Sequence, residues 1–202
     1  MERILLRISP PPVGGGEGRG MVRQAHHDHP EPAKGHPHPP SSVKEEGNQW
    51  ENYRMNKVQR GKVLAVNVSE NKGMKKTNIQ SCALLKDFGL EGDAHAGPWH
   101  RQVSLLANES IEKMRAKGLN VGYGDFAENI TTEGVDLVHL PIGKEIRIGS
   151  SVLLRVSQIG KECHERCAIY YQAGDCVMPR EGIFAEVISE GEVKVGDEII
   201  IG

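Results

Sequence analysis

The chain has 202 residues, 25 Lys and Arg against 27 Asp and Glu, a formal net charge of -2, and 4% aromatic residues. Near-neutrality argues against a broad polyanion-binding surface, which needs a basic footprint, and the scarcity of aromatics argues against base-stacking platforms; no nucleic-acid partner is expected. No apolar run approaches the roughly 18 residues of a membrane span, so no membrane partner is expected either.

Residues 1–54 hold eight of the 11 prolines and five of the nine histidines, but no cysteine. From His26 to Pro40 the chain reads HHDHPEPAKGHPHPP, which offers almost nothing to bury and cannot offset its ordering entropy. The composition predicts a disordered Pro/Gly/His-rich extension. Its histidines are interrupted by prolines and lack a scaffold to fix metal geometry. Met1–Ile8 is too short and too charged for a secretory leader. Met55 directly precedes the ordered pattern, so the predicted domain spans 55–202, long enough for one core.

Within that domain Val63, Leu64, Val66 and Val68 form a β-branched run that predicts a first strand, and Ser81–Lys86 is a weaker second one. Gln102–Leu106 reads as a strand leading into a helix over Glu109–Lys117, with Asn108 as its N-cap and Gly118 past its end. Short β-rich segments follow at Glu128–Thr132, Glu145–Ile148, Val152–Ile159, Phe184–Ser189 and Glu198–Ile201, punctuated by glycines. A short helix is predicted over His164–Gln172, stopped by Gly174. Many short strands with Gly turns predict a β-barrel or sandwich rather than alternating β and α units.

Chemistry concentrates in four segments. Cys163, Cys167 and Cys176 lie close together, with His164 beside the first. No secretory signal is evident, so a cytoplasmic, reducing setting is expected, where clustered cysteines are more often catalytic or metal-binding than disulfide-bonded. Lys161 and Arg166 flank Cys163, and a helix beginning after it would add the positive end of a dipole; both favour its thiolate. The same thiols, with His164 or His95, could instead complete a zinc site, though the spacing is not that of zinc ribbons. Cys167 and Cys176 read more readily as structural thiols. His95, His100 and Arg101 sit on a Gly/Pro loop entering a strand, which suits an anionic ligand. Asn129 follows a turn into a strand, to fix a ligand or cap the turn. Arg180, between a proline and a glycine, is either an anion clamp or a surface partner of Glu181.

In chain order the segments GLEGDAHAG and HRQVSLL, GDFAENITTEGVDLVHLPIGKEIRIG, VSQIGKECHERCAI and GDCVMPREGIFAEVI resemble the MOSC domain, the module related to the C-terminal domain of molybdenum-cofactor sulfurases. The resemblance covers residues 58–201 and none of the extension. It implies a mainly β fold, a MOSC-like β-barrel with a few short helices and a ligand cleft. It implies that Cys163 is the catalytic residue, carrying sulfur as a persulfide or contacting molybdenum directly. Asn129 and Arg180 match the family's polar cleft positions, and His95, His100 and Arg101 its upstream motif. The cofactor implied is a molybdenum or tungsten pterin. An aminotransferase-like PLP domain, a Rossmann fingerprint and a P-loop are all missing from the sequence. Sulfur or electrons would therefore come from outside, from a cysteine desulfurase-like or electron donor, with a molybdoenzyme as acceptor.

Three functions are consistent with these residues. The first is a sulfur carrier that delivers persulfide sulfur to the cofactor. The second is a molybdenum-dependent reductase of N-hydroxylated compounds with Cys163 as a metal ligand. The third is a non-catalytic, zinc-stabilised binding module.

Overall fold

The structure, a computed structural model, describes residues 57–160 and 168–202. The expected extension of residues 1–54 therefore lies outside the described residues, as do Cys163, His164 and Cys167.

In chain order the elements are β1 (Gln59–Val68), β2 (Thr77–Ile79), β3 (Ser81–Leu85), β4 (Gly89–Leu90), β5 (Val103–Ala107), α1 (Asn108–Ala116) and β6 (Ile130–Glu133). They continue with β7 (Glu145–Ile148), β8 (Val152–Ile159), α2 (Ala168–Ala173), α3 (Met178–Glu181), β9 (Ile183–Ser189), β10 (Gly191–Lys194) and β11 (Glu198–Ile201). The strands β11-β7-β8-β9-β5-β6-β1 form one sheet, and pairing of β11 with β1 closes it into a barrel. β2 extends from β1, while β10, β3 and β4 form a small second sheet. The fold is mainly β, a seven-stranded barrel with short helices, as the sequence predicts.

Alternation along the strands builds two cores. On β5, Val103, Leu105 and Ala107 join the barrel core, whereas Leu106 joins a second cluster outside the wall. On β9, Ile183, Ala185 and Val187 face the first core and Phe184 the second. Successive side chains of a strand point to opposite faces, so β5 is buried on both faces and β9 on both at its start. β1 departs from simple alternation: Val63 and Val66 both belong to the barrel core, although three residues apart. The register against β6 shifts between Val63 and Ala65, and this bulge resets the phase.

β5 and β6 run parallel, so a crossover must join them. α1 and the loop after it supply this link. Ile111 and Met114 of α1 are fully buried in the second cluster beside Phe126, Ile169, Met178 and Phe184. Asn108 is the first residue of the helix rather than its cap: Ala107 holds the cap position and no side chain caps it. The chain enters directly from β5 in extended conformation, which leaves no free turn for an Asn cap. The described part of the second predicted helix is α2, ending before Gly174. β2, β4, β10 and α3 were not predicted.

Candidate functional site

The second cluster forms the floor of a cleft between the loop 92–101, the turn 122–129 and α3. It is lined by His95, Trp99, Arg101, Ser104, Phe126, Ala127, Asn129, Met178 and Phe184. Its volume is about 40 Å³. That is room for a few waters, well below the ~300 Å³ that encloses a whole ring system.

One wall begins at Asp93. Its Oδ2 accepts from the Ser69 amide at 3.0 Å and from the Lys76 ammonium, and its Oδ1 accepts from the His95 amide at 3.0 Å. The Lys76 and Asp93 side chains are each only 1% exposed, a fully buried ion pair. Burial alone would raise the Asp93 pKa. The bonds from His95, Lys76 and Ser69 outweigh that and hold the carboxyl well below the usual aspartate range. Lys76 is tied to the opposite wall as well, since its amide donates to the Gly124 carbonyl at 3.0 Å.

His95 carries this pair to the cleft. Its Nδ1 lies 3.4 Å from Lys76 Nζ, and its carbonyl accepts from Trp99 Nε1 at 2.9 Å. Arg101 follows on the same loop. Its Cζ lies 4.9 Å from the centre of the Trp99 ring and 5.7 Å from that of Phe184. Its Nε is buried without a hydrogen-bond partner. No carboxylate pairs with this guanidinium among the described residues. A permanently charged group, half-buried beside a recess and without a counter-ion among the described residues, can accept an anion.

The turn 122–129 makes the other wall. Glu128 is fully buried and accepts from the Gly124 amide at 2.6 Å, the Phe126 amide at 3.2 Å and the Thr131 hydroxyl at 3.0 Å. Burial pushes its carboxyl up from the ordinary value despite these bonds. Asn129 Oδ1 accepts from the Ser104 amide and hydroxyl, at 3.1 and 2.8 Å, while its Nδ2 donates to the Asn67 carbonyl at 3.2 Å. The Asn129 amide therefore braces β5, β6 and β1 and shapes the cleft more than it offers free groups to it.

Of the residues singled out by sequence, the cleft brings together His95, Arg101 and Asn129. His100 stands beside it, exposed, with Nε2 3.0 Å from Gln158 Oε1. Arg180 is 63% exposed and grips Asp175 with both carboxylate oxygens, at 2.7 and 2.8 Å. Its ion-pair partner is thus Asp175. Glu181 instead meets Lys113 at 2.9 Å, because α3 turns the two neighbouring side chains apart. Cys176 is a buried member of the second cluster, in keeping with a structural thiol. Among the described residues no group of His, Cys, Asp and Glu gathers to hold a metal; Cys163 and Cys167, part of the expected zinc set, lie outside them.

Sequence reasoning missed Lys76, Asp93, Trp99 and Phe184. Asp93 lies inside the motif segment and Trp99 directly before its second part, so an acid and a ring at fixed distance from Arg101 were available as signals. Lys76 has no local signal, since its burial arises only from the partner 17 positions away.

The donors present, a guanidinium without a counter-ion among the described residues and an imidazole, both at a small recess, fit the anionic part of a pterin cofactor. No helix among the described residues is long and apolar enough to cross a membrane. The family model of the MOSC domain matches residues 92–200. No curated protein matches the sequence. Among solved structures the chain is similar to the YuaD protein of Bacillus subtilis, at 19% identity and a TM-score of 0.61, over 72% of this chain and 97% of that one. It is also similar to YiiM of Geobacillus stearothermophilus, at 18% identity and a TM-score of 0.53, over 70% of this chain and 75% of that one. YiiM of Escherichia coli aligns at 22% identity and a TM-score of 0.51, over 71% and 69%. These likenesses extend the shared fold beyond the matched segment, and the chain belongs to the MOSC domain family, a family associated with the molybdenum cofactor.

Proposed function

We propose that this protein handles the molybdenum cofactor as a sulfur carrier, with Cys163 bearing the sulfur and Arg101 and His95 holding an anionic group of the cofactor. The observation that carries the reading is the Arg101 guanidinium, which lies over two rings at the mouth of a small recess and has no counter-ion among the described residues. Cys163 belongs to a seven-residue stretch whose two flanks adjoin this site. On one side the Gly160 amide donates to the Gly182 carbonyl at 2.7 Å, against α3. On the other, Ile169 packs in the same cluster as Phe126, Met178 and Phe184 of the lining.

The chemistry asked of Cys163 is modest. Its thiolate attacks the terminal sulfur of a donor persulfide; one S–S bond forms, another breaks, and the donor leaves as a thiolate that takes up a proton. No net oxidation occurs. Lys161 and Arg166, neighbours in sequence, favour the thiolate. When bound, the cofactor would supply a soft metal that accepts sulfur as a ligand. Arg101, fixed by its two rings, would orient it through its anionic group.

The test is the intact mass of the protein after incubation with a cysteine desulfurase and cysteine. A one-sulfur adduct is expected, absent in Cys163→Ser. An adduct that survives this substitution overturns the assignment of Cys163.

A further inference from the structure

His95 has one ring nitrogen committed and one uncommitted. Nδ1 lies 3.4 Å from Lys76 Nζ and 3.6 Å from Asp93 Oδ1. Of these two only the Lys76 ammonium is within hydrogen-bond distance of Nδ1; Asp93 Oδ1, which accepts from the His95 amide, lies beyond it. An ammonium can only donate, so a proton on Nδ1 would face the Lys76 N–H bonds. Nδ1 is therefore an acceptor, and in the neutral ring the proton must sit on Nε2. Nε2 has no partner among the described residues, and the ring lines the cleft.

We propose that buried Lys76 is a positioning residue: with Asp93 it fixes His95 as the Nε2–H tautomer, so that this N–H and the Arg101 guanidinium form a preset pair of donors for a phosphate-like oxyanion. Asp93 holds the ammonium in place and orients the His95 backbone through the amide bond. The device costs no reorganisation at binding, because both donors are set by groups packed on the protein side. It also specifies the ligand class. Two N–H donors and one permanent positive charge suit a phosphate monoester or diphosphate. They give no advantage to a neutral ring or a cation. The inference deepens the anion-binding half of the proposed function and is independent of Cys163.

The test uses the full chain labelled with 15N in histidine and arginine. Long-range 1H–15N spectra of the wild type report the tautomer directly; Nε2–H is expected, and Nδ1–H overturns the proposal without any variant. Titration with inorganic phosphate is expected to move the His95 Nε2 and Arg101 Nε signals together with one saturation curve. Movement of neither signal overturns it too. Lys76→Arg restores a cationic donor and is expected to keep the tautomer. Lys76→Met is expected to mix the tautomers and weaken phosphate binding by at least about tenfold. An unchanged tautomer in folded Lys76→Met sinks the role of Lys76. If that variant does not fold, the wild-type spectrum decides. Failure of persulfide loading leaves these results intact, and failure here leaves persulfide loading intact, so the two readings fall separately.

Discussion

The Arg101 guanidinium lies over the Trp99 ring, 4.9 Å from its centre, and makes no hydrogen bond or ion pair among the described residues. A group placed this way is held by packing and kept available for a ligand. Replacing it separates binding from stability. Arg101→Leu removes a stacking contact of about 1 kcal/mol but also a buried unpaired N–H that costs about as much. Thermal denaturation is expected to show a melting point unchanged or slightly raised, whereas phosphate affinity falls at least about tenfold. Arg101→Lys should lose most of the affinity as well, because an ammonium neither stacks as a plane nor offers the fork. A large loss of stability in Arg101→Leu would show that the residue is structural.

The Lys76–Asp93 pair makes an acid limb in the stability curve. Asp93 has a folded pKa below its ordinary value of 3.8, so its contribution is complete above that value and declines as pH falls through it. Glu128 acts in the opposite sense: its folded pKa is raised above 4.5, so its contribution is present at low pH and lost as pH rises. Asp93→Asn leaves the Lys76 charge buried without its counter-ion and is expected to cost about 3–5 kcal/mol at neutral pH. It should also flatten the acid limb. Urea midpoints across the range from about pH 6 down to about pH 3 measure both effects, and equal slopes for the two proteins would contradict this account. Partly exposed Asp175, lowered to about 2 by Lys117 and Arg180, shares the sign of Asp93. Its share should fade with salt.

Thiol labelling should separate the cysteines. Burial pushes the Cys82 thiol up, and its Sγ lies 3.4 Å from both the Ala83 and the Glu91 carbonyls. Cys176 is buried in the second cluster. Both should react slowly with iodoacetamide at neutral pH, because the thiolate is the nucleophile and access limits it. Peptide mapping is expected to find Cys163 labelled first. Cys82 or Cys176 labelled faster than Cys163 would remove the case for an activated thiol there.

Two glycines of similar backbone conformation should respond unequally to alanine. Gly160 (φ +72°) and Gly196 (φ +93°) both sit in the left-handed region, which costs a residue with a Cβ about 1–2 kcal/mol. At Gly196 the added methyl meets open space. At Gly160 it would lie 2.2 Å from the Pro179 carbonyl oxygen, so α3 or the end of β8 must move. Gly160→Ala should therefore lose roughly 1–3 kcal/mol more than Gly196→Ala and weaken phosphate binding through the displaced cleft wall. Melting points of the two variants compare them directly.

The barrel staves were legible where they are long or rich in β-branched residues. β7, β8 and β11 fall where the sequence places them, and β1 extends four residues earlier because Gln59–Lys62 pair with β11. β2, β4 and β10 are short and polar or glycine-bearing, and they exist through their partners: Gly191–Lys194 is a strand because it pairs with Ser81–Leu84. At the site, Arg101 and His95 were visible as a loop motif with the right donors. Lys76 was not, since a lysine is normally exposed and only the folded chain brings Asp93 to it. Arg180 shows the converse: a charged residue between Pro and Gly looked like a clamp, and the fold spends its charge on Asp175.

The seam between β1 and β11 also governs how the chain reaches this state. Arg60 pairs with Ile200 and Gln59 with Ile201, so the barrel cannot close until its last strand has been synthesised. Before that moment the outer edges of β1 and β7 both lie open, with unpaired backbone groups and the lumen's apolar side chains behind them. Closure couples residues at nearly the greatest separation the domain offers, which makes for slow folding and a long exposure on the ribosome. Shortening β11 should therefore lower soluble yield more sharply than its few buried isoleucines would suggest.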